Sequence, residues 1–134
     1  MPTTVNAARL RDQLFGQLSL PMQSWVMQQA DQIVRSGRFG PWEEMRLKAA
    51  IQQKLQKSLQ SWPPGGTHAE AASSILMFLV LTKAYDAWEQ VREKRQEYMT
   101  AFENFDQKVN QLFNLLSTVL KTMSDATNIT RNLI

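Results

Sequence analysis

The chain carries one histidine, His68, no cysteine, and twelve aspartates and glutamates, so any chemistry must be assembled from a short list. A nucleophilic triad or an imidazole metal site needs histidine as base or ligand. His68 stands alone in "THAE", at the start of a helix, and reads as a solvated surface residue. Without cysteine there is no disulfide framework, thiolate ligand or thiol nucleophile. Glu43/Glu44 and Glu89/Glu93 are the carboxylate pairs, and acid–base work would require their burial. Their Arg and Lys neighbours place both pairs on polar, solvated helix faces. "PPGG" at 63–66 lacks the Lys-Ser/Thr ending of a phosphate-binding loop and follows no strand. "SGRFGPW" at 36–42 can present a helix N-terminus and Arg38 to an anion, but it reads more simply as a turn between helices. No catalytic residue, cofactor site or metal site is expected. The chain is read as non-enzymatic.

What remains is architecture. The 134 residues are 43% apolar and 20% charged, the composition of one folded domain. Residues 1–66 hold eight Lys/Arg against four Asp/Glu, and residues 67–134 hold seven against eight. The basic surplus of the first half could favour nucleic acid or anionic lipid, but Arg9, Arg11, Arg35, Arg38, Arg46, Lys48, Lys54 and Lys57 are interspersed rather than clustered. No apolar h-region opens the chain as in a Sec signal peptide. The apolar run Ile75–Leu81 is far shorter than the roughly 20 residues a membrane span needs. The expected location is the cytoplasm, or export without a Sec signal.

Every Gly and Pro lies at or before Gly66, which divides the first half into three helices. The first runs over about 5–18, with Leu10, Leu14 and Leu18 at four-residue spacing, and Gly16 leaves its end unfixed. The second has Pro21 in its first turn, an apolar side of Met22, Trp25, Val26, Ala30, Ile33 and Val34, and Gly37 as its stop. In the third, Pro41 suits the first position, Glu43 and Glu44 complement the helix dipole, and Leu47, Ile51, Leu55, Leu59 and Trp62 form a buried stripe. "PPGG" then acts as a hinge within a single all-α domain. Thr67 and Glu70 form a capping-box pattern that opens one long helix over 67–134.

From Leu81 the apolar residues step by three and four: Leu81, Ala84, Trp88, Val91, Arg95, Tyr98, Phe102, Phe105, Val109, Leu112, Leu116, Val119, Met123, Ala126, Thr130 and Leu133. Only Arg95 and Thr130 are polar. This spacing predicts a coiled-coil-like seam, widened by Tyr85, Met99, Phe113 and Leu120. Arg95 either fixes register or snorkels to the surface. A helix from about 68 to 128 would be about 90 Å long, while the second and third helices reach only about 25 and 30 Å. The seam must therefore turn back on itself, near Asn104 or at "SDATN", or be covered by another chain. The unbroken pattern favours another chain. The expected interaction residues are Trp88, Val91, Arg95, Tyr98, Phe102, Phe105, Val109, Leu112, Leu116 and Val119, with the apolar residues 75–81 enclosed by the N-terminal helices.

"SSILMFLVLTKAYDAWEQV" followed by "QLFNLLSTVLKTMSDATNITRNLI" resembles the filament-forming and translocator-associated secreted proteins of bacterial type III secretion, over residues 73–134. The resemblance implies a helical, non-enzymatic protein that self-assembles or binds a chaperone through coiled coils. The leading expectation is thus a helical interaction protein, a secretion-system structural component or chaperone, with a protein partner or its own copy on the seam. The alternative is a small dimeric nucleic-acid-binding regulator using the basic first half.

Overall fold

The computed structural model describes residues 2–61, 67–90, 98–120 and 123–133. They form six helices: α1 (Pro2–Gln17), α2 (Leu20–Ser36), α3 (Pro41–Ser61), α4 (Thr67–Glu89), α5 (Tyr98–Val119) and α6 (Met123–Arg131). Among the described residues there is no strand. The fold is all-α.

The breaks between helices have local causes. Ser19 caps α2, its hydroxyl accepting from the Met22 N–H at 3.3 Å, and Pro21 sits where its missing N–H is harmless. Gly37 ends α2 in the left-handed region at φ 72°, donating its N–H to the Ile33 and Val34 carbonyls at 3.2 Å, a conformation glycine adopts without a Cβ penalty. At the start of α3, Glu43 reaches back to accept the Gly40 N–H at 2.8 Å, which satisfies one of the donors a helix leaves free at its N-terminus. Gly16 lies inside α1 rather than ending it.

At the centre is α4. From Ile75 to Leu81 every side chain is buried, and so are Ala71, Ala72, Ala84 and Trp88. A helix apolar all round must be covered all round, and α1, α2, α3, α5 and α6 each pack against it. Each outer helix supplies one stripe: Leu14 and Leu18 from α1, Met22, Val26, Ala30 and Ile33 from α2, Leu47, Ile51 and Leu55 from α3, Phe105, Val109, Leu112 and Leu116 from α5, Ala126 and Ile129 from α6. Residues 75–81 are buried as their hydropathy predicts, and the C-terminal helices as well as the N-terminal ones pack on α4. Leu59 falls in α3 with its side chain outside the described set, and Trp62 and the "PPGG" hinge lie outside the described residues.

The expected single helix over 67–134 is replaced by three. Helix α4 stops at Glu89, Gln90 is a turn, and α5 packs back against α4. Asn104 lies within α5 and "SDATN" within α6, so neither is a break between helices. The seam is nevertheless a real buried face, since Leu81, Ala84, Trp88, Phe105, Val109, Leu112, Leu116, Ala126, Thr130 and Leu133 are all buried. For these described residues the cover is the chain itself. Thr130 is tolerated there because its hydroxyl donates to the Ala126 and Thr127 carbonyls, 2.8 and 3.0 Å away, which satisfies a buried polar group locally.

Candidate interaction surfaces

Of the ten residues expected to contact a partner, Trp88, Phe105, Val109, Leu112 and Leu116 are buried within the chain. The ring of Phe105 stacks edge-on against Phe39 at 5.1 Å, and the Trp88 indole N–H points to the Val34 carbonyl at 3.4 Å. Spacing by three and four marks an apolar face that another helix covers, but says nothing about whose helix it is. Val119, 38% exposed, and Leu115, 46% exposed, open to solvent on the flank of α5. Val91 and Arg95 lie outside the described residues. Tyr98 and Phe102 fall in α5, with their side chains outside the described set.

The acids of α3 are not solvated as their charged neighbours suggest. Glu43 is only 9% exposed. Besides the Gly40 N–H it accepts from the Arg38 guanidinium at 3.0 Å. The Gly40 N–H above all, with Arg38 adding to it, holds its carboxyl below the usual range against the opposing effect of burial. Burial pushes the Glu44 carboxyl up, but Lys108 at 2.6 Å and Lys48 at 3.6 Å outweigh it and bring it below the usual range as well. Lys108 belongs to α5, so this pair ties α3 to α5. The anion-binding turn at 36–42 is filled by the chain's own Glu43.

A second polar cluster joins residues too far apart in sequence for any motif to signal. Arg11 of α1, largely buried, pairs with Asp86 of α4 and with its neighbour Asp12. Arg11 and Asp86, together with Ala7, Ala8, Thr82, Tyr85, Glu89, Asp106 and Val109, line an open cleft of about 200 Å³. The Thr82 hydroxyl is taken up by the Phe78 and Leu79 carbonyls, and Asp86 is held by Arg11. No histidine or cysteine lines the cleft. Among the described residues no three His, Cys, Asp or Glu side chains are placed to hold a metal ion. No described helix is long and apolar enough to cross a membrane.

The most exposed apolar side chains beyond α5 are Leu20 and Met27 on α2 and Trp42 and Met45 on α3. Trp42 is 61% and Met45 68% exposed. They lie on the side of α3 opposite its buried stripe, one turn apart and followed by exposed Ala49. The Arg46 guanidinium sits over the Trp42 ring, 5.7 Å from its centroid, and hydrogen-bonds Gln32 of α2. The signal was present in the sequence: Trp42, Met45 and Ala49 repeat the three–four spacing out of phase with Leu47, Ile51 and Leu55, so α3 has two apolar sides and one core to bury.

Comparison with protein-family models, with curated proteins and with solved structures finds no match to this chain.

Proposed function

We propose that the chain is a non-enzymatic helical interaction protein that docks a partner protein on the outer face of α3, with the C-terminal helices acting as scaffold. The observation that carries this reading is the pair Trp42 and Met45, both more than half exposed and one turn apart. Tryptophan, methionine and arginine are the residues enriched where interfaces are made, and Arg46 completes the set. A non-enzymatic role is supported by Arg11, the cation that lines the cleft, being paired with Asp86 and Asp12. The wider setting suggested by the resemblance of residues 73–134 is a bacterial secretion apparatus, as structural component or chaperone. The nucleic-acid reading is weakened by Arg35 and Arg38, which pair with Asp31 and Glu43 and so offer less to a phosphate backbone.

The test is affinity capture from the native host with three baits: wild type, Trp42→Ser/Met45→Ser and Leu115→Ser/Val119→Ser. A protein retained by wild type and by the α5 variant, but lost with the α3 variant, supports the assignment. The opposite pattern moves the surface to α5. Retention of nothing above a control bait removes the reading.

A further inference from the structure

The solvent face of α3 has a charge pattern that narrows what can lie on it. Its centre is Trp42, Met45, Ala49, Gln52 and Gln56, spaced by three and four residues, all exposed and all uncharged. The positions beside this stripe are Arg46 and Gln53 on one edge and Pro41 and Lys48 on the other, with Arg46 and Lys48 both exposed. The two described acids of the helix point elsewhere. Glu43 is taken up by the Gly40 N–H and Arg38, and Glu44 by Lys108 and Lys48. What an approaching molecule meets is a neutral seam with a cation on each edge.

Resting on the docking reading above, we infer that the occupant is an amphipathic helix of another protein, with glutamate or aspartate flanking its apolar seam. In helix pairing the flanking charges choose the partner. A second copy of this chain is disfavoured, because its Arg46 and Lys48 would face Arg46 and Lys48, and like charges across an interface are repelled. A helix with acidic flanks meets a cation on both edges. Arg46 is already positioned, held over Trp42 and against Gln32, so less side-chain freedom is lost on pairing. Lys48 is 3.6 Å from Glu44, the loose end of an ion pair, and can turn outward. From Trp42 to Gln56 the stripe runs about 21 Å, room for about two heptads.

The test uses two designed peptides of about three heptads, identical in their leucine seam, one with glutamate flanks and one with lysine flanks. Calorimetry on the full chain is expected to show the glutamate peptide binding, more weakly as NaCl rises from about 0.05 to 0.5 M. The lysine peptide should bind about tenfold or more less tightly. Trp42→Ser/Met45→Ser should lower affinity for the glutamate peptide by about tenfold or more. Arg46→Glu/Lys48→Glu should reverse the preference, an outcome that general weakening of the fold cannot produce, with circular dichroism verifying that each variant is helical. The inference is overturned if neither peptide binds, if both bind equally, or if the reversal fails. It is likewise overturned if the Trp42 face instead mediates dimerisation of the chain, or binds phosphatidylglycerol vesicles or DNA while ignoring both peptides. If host capture depends on Trp42 while the peptide pair gives no discrimination, the docking reading stands and only the acidic helix falls.

Discussion

The indole of Trp88 and the ring of Phe105 meet at 4.7 Å between centroids and 58° between planes, joining the end of α4 to an early turn of α5. Both are fully buried, so this contact makes the fold-back of the C-terminal helices part of the core. Phe105→Ala should cost about 3–5 kcal/mol, and Phe105→Leu about 1.5 kcal/mol or less, read from urea midpoints at constant slope. Light scattering should give the same molar mass for wild type and both variants. A cost below about 1 kcal/mol for Phe105→Ala, accompanied by a change in mass, would mean that another chain covers this ring.

Arg11 and Asp86 link α1 to α4 across the cleft. Removing the acid leaves a largely buried guanidinium with only Asp12 beside it, so Asp86→Ala should destabilise by about 1–3 kcal/mol. Arg11→Leu/Asp86→Ala should recover part of that loss, since the stranded charge is gone. A double variant as unstable as the sum of the singles would show that the two side chains do not interact.

Glu43 predicts a pH dependence. Its folded pKa is depressed, so as pH falls the unfolded chain takes up the proton first. The contribution is fully present above the unfolded value, about pH 4.3, and is lost as pH drops through the lower folded value. Glu44 acts in the same direction through Lys108. Urea midpoints measured from neutral pH downward should fall in this acid window, and Glu43→Gln, which keeps an acceptor for the Gly40 N–H, should flatten the fall. An unchanged slope in the variant would mean that Glu43 is not held as its geometry indicates.

Two glycines should respond in opposite ways. Gly16 lies within α1 with no atom within 4 Å of where a Cβ would stand, so Gly16→Ala should stabilise by about 0.5–1 kcal/mol. Gly37 adopts φ 72°, and Gly37→Ala should destabilise by about 1 kcal/mol. Thermal melting of both variants in one buffer checks the pair.

The all-helical class, the three N-terminal helices and their buried stripes were legible because Pro21, Gly37 and Pro41 act locally and because Leu47, Ile51 and Leu55 repeat at the helical period. The buried face of the C-terminal half was legible for the same reason. Whether Phe105 and Leu116 face α4 or a second molecule was not, because an apolar helix face is satisfied equally by either. Nor could neighbouring charges reveal that Glu43 turns inward, since its partner is a backbone N–H, which every residue but proline carries. Arg11 and Asp86 are separated by the end of α1, all of α2 and α3 and most of α4, and only the packing of α1 on α4 brings them together.

The central place of α4 also orders events in time. Helices α2 and α3 pack chiefly on α4, and α1 on α4, α5 and α6, rather than on one another, yet the ribosome makes them first. At about 5–20 residues per second, several seconds pass in which Leu14, Met22, Ile33, Leu47 and Ile51 have been synthesised and their cover has not. A truncated chain ending at Gly66 is that state made permanent, and it should be insoluble or only partly helical when expressed alone. The newborn protein thus meets the cell as greasy surface before it becomes a fold, and its yield depends on what shields those side chains in the meantime.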